Sequence, residues 1–180
     1  DKNCHHFDVF NWLIDSEPVS VFASGGTDSV YRDGGKDMSM WEHLRDPATH
    51  IDVVDNAIAI VDYANGARAG LTVCFFAPDH PLEIEVLCDH GRLSSDEENY
   101  RLTTFHHVRD ERQCHTFEPD VDRDRFDSFE KVYTVLEHRE FVQCVQERRQ
   151  PKADVHVGWW ATMMCLAAER SIKEKRPIRI

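Results

Sequence analysis

Six of the first eight residues, Asp1-Lys2-Asn3-Cys4-His5-His6-Phe7-Asp8, carry groups that bind a proton or a metal ion. Two chemistries compete for them. Asp1, His5 and Asp8 read as D-x-x-x-H-x-x-D, which on a helix places His5 one turn from each carboxylate. An imidazole, with an unperturbed pKa of about 6.5, is suited to take a hydroxyl proton near neutral pH. A neighbouring carboxylate can orient the ring or hold substrate hydroxyls. The competing chemistry is zinc ligation by Cys4, His5 and His6. Adjacent residues rarely point at one ion, and no CxxC or HxxxH pair completes a four-ligand set. No metal site is expected.

Two other stretches resemble known sites and fail on chemistry. Residues 120–131 place Asp120, Asp122 and Asp124 as a calcium loop would, but Arg125 stands where the sharp turn needs glycine and Lys131 where a bidentate glutamate should close the shell. "ASGGTDS" (23–29) and "DGGK" (33–36) match neither GxGxxG nor the P-loop, so they are expected to be turns. The chain has no dinucleotide fingerprint of its own.

The bulk composition narrows the class. At 180 residues, with 41% hydrophobic and 30% charged residues, the chain suits one soluble domain with one core. Its net charge of −12 argues against a nucleic-acid surface, which needs a basic patch. No apolar run approaches the ~18 residues that span a bilayer, so no membrane partner is expected. The six cysteines are scattered without a CxxC pair and read as reduced thiols of a cytoplasmic protein.

The elements that must carry the opening motif are legible by period. Phe7, Phe10, Leu13 and Ile14 recur at helical spacing, predicting a short amphipathic helix over 4–14 that Ser16-Glu17-Pro18 ends. Residues 19–26 alternate as a strand. Residues 27–50 are irregular. Asn65-Gly66, the strongest short hairpin signal, separates two alternating runs in 56–77. Further strands are expected within 81–95, with Gly91 in a turn, and over 99–108 and 113–118. A helix over about 126–149 follows, with a stripe of Phe129, Val132, Leu136, Phe141 and Val145. Pro151 ends it. Asp154 then caps a last helix whose apolar run predicts burial against the sheet, and Pro177 opens a short extended end. The order predicts an α+β fold: one large, mostly antiparallel sheet with helices on one face and the other face available for oligomerisation.

The opening motif with "DVFNWLIDSEPVSVFASGG", the run "DNAIAIVDYANGARAGL" (55–71) and the closing stretch from "EHREF" through "LAAERSI" to "RPIRI" resemble the C-terminal domain of the glucose-fructose oxidoreductase / inositol dehydrogenase / rhizopine catabolism protein (Gfo/Idh/MocA) family of NAD(P)-dependent oxidoreductases. The pieces occur in the family's order over nearly the whole chain. The resemblance implies that 1–180 is a single substrate-binding and oligomerisation domain, the C-terminal half of a longer protein whose N-terminal Rossmann domain binds NAD or NADP. It implies that His5 is the catalytic histidine and Asp1 its acidic partner, with Asp8 and His6 on the substrate side. His6 stands where the family often has an aromatic, which favours packing over chemistry. The implied reaction moves hydride between a nicotinamide and a sugar, cyclitol or related polyol. The chain by itself is expected to be inactive and to form a homo-oligomer through the second face of its sheet, where Thr72, Cys74 and Phe76 fall. The alternative is a non-catalytic assembly or sugar-sensing module of the same fold.

Overall fold

The computed structural model describes residues 3–28, 53–75, 82–96, 101–116 and 129–180. Within them the chain forms two units, residues 1–77 with 150–180, and residues 78–149.

In the first unit, helix α1 (Cys4–Ile14) leads into strand β1 (Pro18–Gly26), followed by β2 (Asn56–Tyr63), β3 (Arg68–Cys74), the long helix α3 (Val155–Glu174) and the two-residue strand β8 (Ile178–Arg179). The sheet order is β3-β2-β1-β8, antiparallel throughout. Register sets which side chains share a face, because cross-strand partners point the same way. Val21, Val61, Ala69 and Ile178 fall on one face, as do Ala23, Ala59 and Leu71. They form the core with Phe7 of α1 and Met164 and Ala167 of α3. Gly25, farther along β1, has no room for a side chain: a Cβ there would sit 2.4 Å from the Asn56 carbonyl oxygen.

The last helix departs from its expected burial. Only the Ala161, Met164, Ala167, Ser171 stripe is buried, whereas Val155, Trp159 and Leu166 are exposed. An apolar run longer than one face of a helix cannot all reach a single sheet. Its start is as expected: the Asp154 carboxylate accepts from the amides of His156 and Val157 at 2.9 and 3.0 Å. Its end is fastened by a residue that shows no sequence signal. Ser171, fully buried, accepts from the Ala23 amide at 2.9 Å and donates to the Arg176 carbonyl at 2.7 Å. β8 pairs with β1 only at Ser20 and Val21, so the hydroxyl takes over where that short strand ends.

The Asn65-Gly66 hairpin also differs in detail. Tyr63 and Ala67 close a three-residue loop, and only Gly66 is left-handed, at φ 87°. A two-residue type I′ loop, the form Asn-Gly favours, needs both central residues at positive φ; the three-residue form needs one.

In the second unit, β4 (Glu83–Cys88), β5 (Gly91–Asp96), β6 (Arg101–His106) and β7 (Glu111–Thr116) form a meander, and α2 (Phe129–Glu147) follows. Gly91 lies at the start of β5, with Asp89 and His90 in the turn. Phe141 and Val145 of the expected α2 stripe are exposed. The antiparallel α+β class is as expected, but the described strands make two four-stranded sheets rather than one large sheet. Pairing stays between chain neighbours, except where β8 returns to occupy the outer edge of β1. None of the six cysteines is in a disulfide, and no described helix is long and apolar enough to cross a membrane.

Candidate active site on helix α1

Helix α1 turns its two faces to different tasks. Phe7 is buried in the core, its ring edge-on to Phe10 at 6.2 Å, and Phe10 and Ile14 pack beside it. At 3.6 residues per turn, His5 falls opposite Phe7 and Asp8 about 100° from it, the two lying within about 60° of each other. The structure therefore brings these two predicted residues together on one ridge. His5 is exposed and Asp8 half-buried. Burial pushes the Asp8 carboxyl above its ordinary range, while the charge of nearby His5 pulls it down. A carboxylate held partly out of water beside an imidazole is the kind of perturbed group that marks functional surfaces.

His6 lies on the flank, half-buried, about 100° from His5 around the axis. It is not on the ridge. Asp1 lies outside the described residues, as does most of the irregular 27–50 segment and of the calcium-like stretch. Helix α1 begins at Asn3, whose carbonyl accepts from the His6 and Phe7 amides at 3.1 and 3.2 Å, without a side-chain cap.

The other end of α1 is tied down by the β2–β3 hairpin. The Tyr63 hydroxyl donates to Asn11 Oδ1 at 2.9 Å, Asn65 Nδ2 to the Ile14 carbonyl at 3.3 Å, and the Asn65 amide to Ser16 Oγ at 3.2 Å. Ala64 N–H adds a bond to the Glu17 carbonyl at 2.9 Å. Asp15, left-handed at φ 50°, terminates the helix with its amide on the Asn11 carbonyl. These fastenings hold the helix that presents His5 and Asp8. The Asn-Gly signal gave the turn, but its grip on α1 depends on a contact 51 residues away in sequence.

A second polar group lies at the far end of the same sheet. Asp55, fully buried, accepts from the Asp28 amide at 3.0 Å and from Asn56 Nδ2 at 2.8 Å, and Asn56 also reaches Asp28 Oδ2 at 2.8 Å. Thr27 Oγ1 donates to the Val53 carbonyl. These bonds draw together residues 27–28 and 53–56, which lie on either side of residues 29–52. Sequence reading missed Asp55, since a buried carboxylate among polar neighbours looks like a solvated one. Among the described residues, no three His, Cys, Asp or Glu side chains are grouped to hold a metal ion.

The N-terminus of α3, where a pyrophosphate would need free amides, is filled by the Asp154 carboxylate.

Comparison with known proteins places the fold. The family model described as the GFO/IDH/MocA C-terminal domain matches residues 1–94. Solved structures match over almost the whole chain. The aldose-aldose oxidoreductase of Caulobacter crescentus, complexed with glycerol, is 16% identical with a TM-score of 0.71, over 99% of this chain and 46% of that one. The WlbA dehydrogenase of Bordetella pertussis, in complex with NADH and UDP-GlcNAcA, is 20% identical at 0.64, over 100% and 46%. An NAD binding oxidoreductase of Klebsiella pneumoniae is 17% identical at 0.75, over 99% and 49%. The chain thus spans about half the length of these structures. No curated protein matches it.

Proposed function

The chain belongs to the GFO/IDH/MocA C-terminal domain family, and on that premise we propose that it is the substrate-side domain of an NAD(P)-dependent oxidoreductase acting on a sugar, cyclitol or related polyol. The observation that carries this reading is the ridge of α1, where an exposed imidazole and a half-buried carboxylate stand one turn apart. The relatives with NADH, a sugar nucleotide or glycerol bound support the substrate class.

The nicotinamide, held by a separate domain, supplies the hydride acceptor; the residues of this chain act on the proton and the hydroxyls. In the oxidation, the C–H bond of a secondary alcohol breaks as hydride, the O–H bond breaks as a proton, and a carbonyl forms. His5 accepts that proton. Asp8 accepts hydrogen bonds from neighbouring hydroxyls, and its partly dry surroundings strengthen them. Asp1 is the acidic partner that orients the imidazole, and His6 packs beside the helix.

The same reading assigns the open face of the first sheet to self-association. Phe22, Ile58 and Ile60 are 40%, 61% and 48% exposed there. Phe22 lies opposite Ile60, and Ile58 opposite Thr72. Ser20, Asp62 and Arg68 border this apolar centre. Such a patch on a sheet fits an isologous contact between two copies.

The test is His5→Gln in the full-length protein, assayed on a panel of sugars and cyclitols with NAD and NADP. Loss of a proton acceptor costs about 10²–10⁴-fold in rate. Undiminished turnover would remove His5 from the chemistry and favour a sensing or assembly module.

A further inference from the structure

Two of the six cysteines, 161 positions apart in sequence (165 − 4), sit on helices that the fold packs together. Cys4 opens helix α1, about 60° around the axis from the buried Phe7 and so on the core side of the His5 ridge. Cys165 lies on α3 in a stripe with Ala168 and Ile172 that packs beside the core. Both thiols are half-buried. Burial pushes the Cys165 thiol above its ordinary pKa, and the charge of Cys4 raises it further. An effect of one thiolate on the other makes the two sulfurs near neighbours. Packed helices stand about 8–10 Å apart between axes, each with its Cα atoms about 2.3 Å from the axis. Facing Cα atoms then come within roughly 3–5 Å, close to the span of about 4.4–6.8 Å that a disulfide bridges. The same turn of α1 lacks a side-chain cap.

We propose that Cys4 and Cys165 are a redox pair, which a peroxide joins in a reversible disulfide tying the first turn of α1 to α3. In the first step the Cys4 sulfur attacks one peroxide oxygen. The O–O bond breaks, one water leaves, and Cys4 becomes a sulfenic acid. The Cys165 sulfur then attacks the Cys4 sulfur and the S–O bond breaks. The hydroxyl departs as a second water, carrying the Cys165 proton. Two electrons have passed from the sulfurs to the peroxide. Cys165 acts second because its burial holds the proton in place. A dithiol reverses the bridge by exchange and is itself oxidised to a disulfide. Disulfides of proteins kept in reducing compartments are mostly of this transient, sensing kind. His5 follows Cys4 in the chain, so the bridge draws the turn that presents the imidazole toward α3. Its effect on turnover rests on the proton-acceptor role given above; the bridge itself does not.

The test is peptide mapping by mass spectrometry, without reduction, of the full-length protein treated with hydrogen peroxide, beside Cys4→Ser and Cys165→Ser. The expected result is a cross-linked peptide joining Cys4 to Cys165, lighter by two hydrogens than its parts and lost on adding dithiothreitol. Oxidation also raises the urea midpoint of the wild type, because the bridge closes a long loop in the unfolded chain, and neither variant gains. Turnover of the wild type falls by about tenfold or more on oxidation, as expected for a displaced catalytic group, and dithiothreitol restores it. Both thiols still reduced, Cys4 found only as a sulfinic acid, or Cys4 paired with another cysteine each overturn the proposal. So does an equal, dithiothreitol-reversible loss of turnover in Cys165→Ser. Where a serine variant fails to fold, the wild-type map decides. A bridged protein at full turnover overturns the switch if His5→Gln is inactive. If His5→Gln is also fully active, the proton acceptor fails and the mapped bridge stands.

Discussion

Replacing Ser171 with alanine isolates the contact by which helix α3 grips the sheet. The serine hydroxyl is fully buried and makes two bonds at once, one from the Ala23 amide at 2.9 Å and one to the Arg176 carbonyl at 2.7 Å. Alanine fills nearly the same space but leaves a buried backbone donor and a backbone acceptor without partners. Each unsatisfied group costs about 1–3 kcal/mol. The Arg176 carbonyl lies near the surface and can recover water, so the sum falls at about 2–4 kcal/mol. With a urea slope of about 2 kcal/mol per M, the unfolding midpoint should drop by about 1–2 M. Hydrogen exchange gives the second readout: the Ala23 amide should lose protection in the variant more than its neighbours in β1. Thr162→Ala is the control. That hydroxyl bonds the Gly158 carbonyl on the exposed side of the same helix, and its loss should stay within about 0.5 kcal/mol. A Ser171→Ala midpoint no lower than the control's, with Ala23 still protected, would refute the assignment of this hydroxyl as the closing link.

Two further expectations follow from charge. The Asp8 carboxyl is raised above its ordinary value, mainly by burial, so its folded-state pKa lies above its unfolded one. Stability from this group is fully present below the unfolded pKa and is lost as pH rises through the raised folded value. Asp8→Asn should therefore be more stable than the wild type at neutral pH, with the gain vanishing in acid, while activity of the full-length protein falls. Thermal melts across pH would show it, and an asparagine variant less stable at neutral pH would contradict it. At the exposed strand β7, Arg101 Nη2 donates to Cys114 Sγ at 3.3 Å and lowers that thiol's pKa. The Cys144 thiol is raised, first by desolvation and then by its bond to Glu140. Iodoacetamide at neutral pH should alkylate Cys114 well before Cys144, and Arg101→Ala should slow it; equal rates would sink the claim.

Much of the fold was legible because its signals are local. Helix α1 follows from the spacing of Phe7, Phe10 and Ile14, the α3 start from Asp154, and the β2–β3 turn from Asn65-Gly66. The same local reading erred where a second partner decides. Leu13 fits the helical stripe of α1 yet faces outward, because the core takes only the side centred on Phe7. The two sheets could not be told from one, since alternation in 81–118 does not say which edge a strand joins. Ser171 and Asp55 escaped notice because a serine or an aspartate carries no mark of burial until its distant partners, Ala23 and Asp28, arrive. Of the candidate site, the shared ridge of His5 and Asp8 was readable from their spacing.

The anchoring of α1 at one end has a consequence for mutation. Hairpin tips usually tolerate insertions, but Tyr63 and Asn65 hold Asn11 and Ile14 while the opposite end of the helix has no side-chain cap. The hairpin thus sets the tilt of a rod whose other fastening is the Phe7 side chain in the core. From Ile14 to His5 the lever is about 13 Å long, so a tilt of about 4° swings the imidazole by about 1 Å. A displacement of that size can cost about a hundredfold in rate. On the proposed function, an added residue at the Asn65-Gly66 tip would thus register first as lost turnover and only later as lost stability.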